Sequence, residues 1–156
     1  MRKIKVLHKV LLFFILILST SLIHKILLFY NVFNDGIWYK EFVGSELFFW
    51  ASSINRLVLI LGLYFIQKSL FIMYNKEYFN SVAIKYLKNG GIIIIIVGLV
   101  SIGLEYTSPE INEKTHSIVT TTITSMFQII IGVGCIIFSE ILTKGIELKE
   151  DNDLTI

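Results

Sequence analysis

Eight side chains stand out as candidates for chemistry by where they fall against the apolar runs: His8, His24, His116, Cys135, Lys25, Arg56, Glu105 and Glu140. The histidines fall at three different depths of the apolar pattern and form no HxxxH pair of the kind that holds a metal. Cys135 is the only cysteine, which excludes an intramolecular disulfide and a CxxC redox pair. A thiol in apolar surroundings is usually inert. No Gly-rich phosphate loop and no Ser-His-Asp arrangement accompanies these residues. The expectation is therefore no catalytic, cofactor-binding or metal-binding residue, and no enzyme.

What remains is charge. Lys25, Arg56 and Glu105 lie inside or at the edges of long apolar runs, where an isolated ion is expensive. Paired as an intramembrane cluster, each would reduce the desolvation cost of the others. The alternative has Lys25 and Arg56 extending to lipid headgroups. Glu140 sits beside Lys144 near the end of the last apolar run and reads as interfacial.

The elements that position these groups follow from composition. Apolar residues make up 54% of the chain and charged residues 17%, and runs such as Gly90–Leu104 are too long for a small soluble domain to bury. The chain therefore reads as an all-α integral membrane protein, a single domain over residues 1–156. Four segments approach the roughly 20 apolar residues a span needs: about 10–30, 47–70, 91–106 and 118–142. The third is short and can continue the helix before it. The first reads as a span, since no small-x-small cleavage site follows its apolar run.

Basic residues sort by side. Arg2, Lys3, Lys5, Lys9, Lys68, Lys76, Lys85, Lys88, Lys144 and Lys149 fall on one side, against Lys40 and Lys114 on the other. The bias predicts both termini in the cytoplasm, with residues 143–156 as a cytoplasmic tail. The net charge of +2 is too small to suggest direct nucleic-acid binding. Between spans two and three, Phe79, Val82, Ala83, Tyr86 and Leu87 recur at helical spacing, with Lys85 and Lys88 toward another face. This predicts a short amphipathic helix at the lipid headgroups, capped by Asn80 and joined to span three through Asn89-Gly90-Gly91.

Within lipid, small and hydrogen-bonding residues mark where helices touch. Thr121, Ser125, Gln128, Gly132, Cys135 and Ser139 follow one another at steps of four, three, four, three and four, which keeps them on one face of span four. Gly91, Gly98, Ser101 and Glu105 repeat the pattern in span three, and Ser52, Asn55, Gly62 and Ser69 in span two. The expected architecture is four transmembrane helices in an antiparallel bundle with these faces inward. The same seam would serve as plain packing, enclose a polar cavity, or join two copies as a homo-oligomer.

The C-terminal run Phe138–Ile156, "FSEILTKGIELKEDNDLTI", carries a second pattern. Glu140, Ile141, Gly145, Leu148, Asp151, Asp153, Leu154, Thr155 and Ile156 resemble the closing signature of a bacterial membrane family, the domain of unknown function 2975. Ser139 stands where that family usually has Ala. The stretch "YFNSVAIKYLKNGGIIII" is similar to the family's central loop. The resemblance implies a four-span protein of the bacterial cytoplasmic membrane and brings no catalytic residue. Because members are often encoded beside a small helix-turn-helix transcription regulator, it also implies such a regulator as a cytoplasmic partner.

With enzyme chemistry missing, the leading expectation is a sensor or regulator in the lipid bilayer that acts through its cytoplasmic surface and tail. Gly145 would end or bend the last helix, and Ile146 and Leu148 would pack back on the bundle. Glu150, Asp151 and Asp153 would then face a partner, or the tail would fold under its own amphipathic loop against Lys76, Lys85 and Lys88. The alternative is a small proton-coupled transporter or channel subunit. Against it stands the lack of Asp or Glu at the middle of any span.

Overall fold

The computed structural model describes residues 2–35, 46–75, 80–106 and 114–153. They form four helices: α1 Arg2–Asp35, α2 Glu46–Asn75, α3 Ser81–Tyr106 and α4 Lys114–Asp153. Each contains a segment long and apolar enough to cross a membrane: Ile4–Tyr30, Leu47–Asn75, Ser81–Tyr106 and Val119–Asn152. Large apolar side chains such as Phe13, Leu61, Leu99 and Phe127 are exposed on their outer faces. In water such surface would drive aggregation, whereas in a bilayer it is the face presented to lipid tails. The chain is a multi-pass membrane protein.

The helices pack in chain order, α1 on α2, α2 on α3 and α3 on α4, with the last contact the most extensive. Their registers are antiparallel. On α1 and α2, His8 meets Gln67 while Lys25 meets Ser52. On α2 and α3, Asn55 meets Ser101 while Ser69 meets Ala83. On α3 and α4, Gly91 lies against Gly132 and Gly98 against Ser125.

A core cluster of Ile66, Leu70, Met73, Ala83, Leu87 and Ile94 joins α2 to α3, with Ile4 and Leu11 of α1 and Leu142 of α4 packed on its edge. Ser69, fully buried, donates to the carbonyl of Ala83 at 2.7 Å and so closes this end of the α2–α3 contact. On the neighbouring surface, Lys68 places its ammonium 4.6 Å from the ring centre of Tyr86, a cation–π contact between the same two helices.

The short amphipathic helix expected between spans two and three does not stand apart. Ser81–Lys88 form the first turns of α3, which runs unbroken through Asn89, Gly90 and Gly91. Asn80 is its N-cap, its Oδ1 accepting from Val82 N at 3.0 Å and Ala83 N at 3.3 Å. The glycines do not break the helix because they serve a different purpose. A Cβ on Gly90 would lie 2.7 Å from Ile66 Cγ1 and 3.0 Å from the Gly62 carbonyl oxygen, and one on Gly91 only 2.7 Å from the Gly132 carbonyl oxygen. They are the places where α3 meets the backbones of α2 on one side and α4 on the other.

A second difference concerns α4. Gly145 neither ends nor bends it out of helix, and the helix continues to Asp153. Ile146 is half-buried, but Leu148 is 64% exposed and does not pack back on the bundle.

Candidate functional site

Toward the end of the bundle that holds the N-terminus of α2 and the C-terminus of α3, all four helices contribute to one cavity of about 350 Å³. Its volume falls in the range of small-molecule sites. The polar lining comes from Ser52, Asn55 and Arg56 on α2, Ser101 and Glu105 on α3, and Thr121 and Gln128 on α4. The apolar lining is Leu18, Phe48, Leu59, Val97 and Leu104.

Local helical geometry explains why these residues converge. Ser52, Asn55, Arg56 and Leu59 recur at i, i+3, i+4 and i+7 and share one face of α2. Val97, Ser101, Leu104 and Glu105, at i, i+4, i+7 and i+8, likewise share one face of α3, and Thr121 and Gln128 lie seven residues apart on α4. The three faces meet because α3 is held between its neighbours by the glycine contacts further along.

Much of the polar lining is tied down. Asn55 donates from Nδ2 to Ser101 Oγ at 2.8 Å and more weakly to the Val97 carbonyl at 3.4 Å. Arg56 donates from Nη1 to Ser21 Oγ at 3.2 Å. Next to it, Lys25 donates to Ser52 Oγ at 2.7 Å and rests 4.9 Å from the centre of the Phe49 ring, which itself stacks on Phe29 at 3.9 Å. Gln128 differs. Its Oε1 is buried without a hydrogen-bond donor among the described residues. An acceptor left so typically costs about 1–3 kcal/mol.

The charged residues singled out in the sequence therefore fall in two places. Arg56 and Glu105 line the same cavity, while Lys25 lies at the α1–α2 contact with its ammonium on a cavity-wall serine. Of the small and polar residues on α4, Ser125 and Ser139 are 2% and 1% exposed, and Gly132 is buried against Gly91 and Ile95. Cys135 is half-buried, its Cβ beside Gly91. Gly98 is buried against Ile129 and the Ser125 carbonyl. Thr121 and Gln128 leave this packed row to face the cavity.

The two potential ligand histidines whose side chains are described lie apart. His8 contacts Gln67 at 3.2 Å, and His24 is exposed on α1. Of the C-terminal signature, Glu140, Leu148 and Asp151 are exposed and Gly145 is half-buried. Asp153 ends α4, and Leu154, Thr155 and Ile156 lie outside the described residues.

The sequence pattern gave no sign that Gln128 would be orphaned. Its spacing places it on the seam, but a seam position is compatible with a satisfied amide or an unsatisfied one. Only the three-dimensional packing around the amide distinguishes them.

The model of a family described as protein of unknown function (DUF2975) matches residues 47–156. No curated protein and no solved structure matches the chain. The matched segment takes in α2, α3 and α4, and with them every cavity-lining residue except Leu18.

Proposed function

The chain belongs to the DUF2975 family, and from that premise we propose that it is a non-enzymatic membrane sensor or regulator that acts through its cytoplasmic surface. The observation that carries this reading is the continuity of α4. The helix supplies Thr121 and Gln128 to the cavity wall and runs without a break to Asp153. From Gln128 to Glu150 it spans about 30 Å at 1.5 Å per residue. A rigid element of that length links a pocket in the membrane to a polar end outside it, as a sensor requires. The basic-residue bias puts that end in the cytoplasm of a bacterial cell. There Glu147, Glu150 and Asp151 are exposed on α4, an acidic surface for a protein partner. A small helix-turn-helix transcription regulator is the partner the family resemblance suggests.

The test is co-purification of the intact protein with a helix-turn-helix regulator from the cytoplasmic fraction, compared with the protein lacking residues 150–156. A regulator retained by the first and lost by the second, at unchanged melting temperature, supports the reading. Equal retention, or no retention by either, counts against it.

One observation favours a second reading, a small proton-coupled transporter or channel subunit: Glu105 lines a cavity rather than a packed interface. Substrate-dependent proton flux in reconstituted vesicles, lost in Glu105→Gln, would establish it.

A further inference from the structure

Lys25 and Arg56 are held crosswise between α1 and α2. Lys25 of α1 donates to Ser52 of α2 at 2.7 Å, and Arg56 of α2 donates back to Ser21 of α1 at 3.2 Å. Ser21 and Lys25 are four residues apart on α1, as Ser52 and Arg56 are on α2, so the two cations stand about one helical turn from each other. Lys25 feels the charge of Arg56. Among the described residues it touches a hydroxyl and a ring and no carboxylate. Glu105 is the only acid lining the cavity beside Arg56, and one acid cannot balance two cations.

The hydroxyls add to this surplus of donors. Ser52 gives its proton to the Phe49 carbonyl, and Ser19, Thr20 and Ser53 likewise donate to carbonyls of their own helices. Ser21, exposed on α1, donates to no acceptor among the described residues. An ammonium has three donors and a guanidinium five, so both cations keep N–H groups to offer after bonding their serines. The Arg56–Ser21 bond lies at the surface of the bundle, open to whatever surrounds it.

We propose that this crossing binds an anionic phospholipid, its phosphate accepting from Lys25 and its glycerol ester carbonyls accepting from Arg56 and Ser21. Depth selects a lipid over a dissolved anion. Lys25 lies five residues before Tyr30, where the apolar segment of α1 ends, or about 7.5 Å along the axis. That segment of 27 residues runs about 40 Å, roughly 10 Å more than the hydrocarbon layer, so about 5 Å at each end stands among headgroups. The ammonium of Lys25, on its long stem, therefore reaches the level of lipid phosphates. Arg56 and Ser21, a turn deeper, are at the level of the ester carbonyls. A zwitterionic lipid would bring an ammonium to a place that already holds surplus positive charge, which favours a lipid of net negative charge.

The full-length protein in detergent would be titrated with short-chain phosphatidylglycerol, short-chain phosphatidylcholine or inorganic phosphate, the rise in melting temperature giving the apparent affinity. Phosphatidylglycerol is expected to give a saturable rise larger than either of the others. Lys25→Met should weaken its binding about tenfold, the effect of losing one charge-assisted hydrogen bond. Lys85→Gln combined with Lys88→Gln removes two positive charges at the other end of the bundle and should leave the affinity unchanged. Ser21→Ala, at an exposed position, decides the matter if Lys25→Met does not fold: weaker binding supports the site, and unchanged binding overturns it. An equal response to phosphatidylcholine or to inorganic phosphate overturns the proposal. So does an equal loss in the Lys85 and Lys88 variant, which would mark plain attraction to a basic surface.

Discussion

Asn55 on α2 and Ser101 on α3 are joined by a 2.8 Å hydrogen bond in the cavity wall. Both residues come from apolar segments, where a lone amide has few other partners. Interhelical bonds of this kind in membranes average about 0.6 kcal/mol and reach about 2. Asn55→Ala should therefore lower unfolding stability in detergent by roughly 0.5–2 kcal/mol. Ser101→Ala should cost less, because the Val97 carbonyl still accepts from Nδ2. A double-mutant cycle on denaturant unfolding measures the coupling. Strict additivity would mean that the pair contributes nothing.

The α3–α4 contact depends on backbone approach. A Cβ on Gly132 would lie 2.6 Å from the Gly91 carbonyl oxygen and 3.2 Å from Ile95 N, both main-chain atoms that cannot rotate away. Gly132→Ala is expected to destabilise by about 1–3 kcal/mol, the usual range for forced overpacking. Gly134→Ala, two residues along the same helix, meets nothing within 4 Å and should leave melting unchanged or slightly raised. Equal behaviour of the two variants in a melting experiment would argue against this packing.

Arg56 and Glu105 share the cavity, so their charges should be coupled. Glu105→Gln is expected to lower the melting temperature, and to lower it much less when Arg56 or Lys25 has already been neutralised. Thermal melts of the single and double variants decide this, and losses that simply add would exclude the coupling.

The inside-positive pattern makes a sidedness prediction. In a Cys135→Ala background, Lys40→Cys should react with a membrane-impermeant maleimide in intact cells. Lys149→Cys should react only after the membrane is opened. The opposite pattern of labelling would invert the topology.

The spans were readable because lipid imposes a simple rule, about 20 apolar residues per crossing, and their contact faces because small residues recur at heptad-like steps. The pattern and the fold part at Asn89-Gly90-Gly91. In a soluble chain two glycines in a row usually punctuate, whereas here they are the thinnest point of α3, pressed between Gly62 and Ile66 on one side and Gly132 on the other. The same rule misled at Gly145, which is half-buried and continues the helix. Periodicity also put Gln128 on the same face as Ser125 and Gly132 without distinguishing its role from theirs. That distinction depends on which groups the neighbouring helices bring to that level, and a pattern along one strand of sequence does not encode it.

Packing each helix chiefly on its predecessor has a consequence for biogenesis. As the ribosome delivers the chain to the membrane, α2 finds α1 already there, α3 finds α2, and α4 finds α3. No helix has to wait for a distant one or insert between two that have already met. The cavity is the exception, for it needs α4 to supply its last wall. A chain assembled only through α3 can thus be well packed and still have no complete pocket, and the pocket becomes a mark that α4 has joined the bundle.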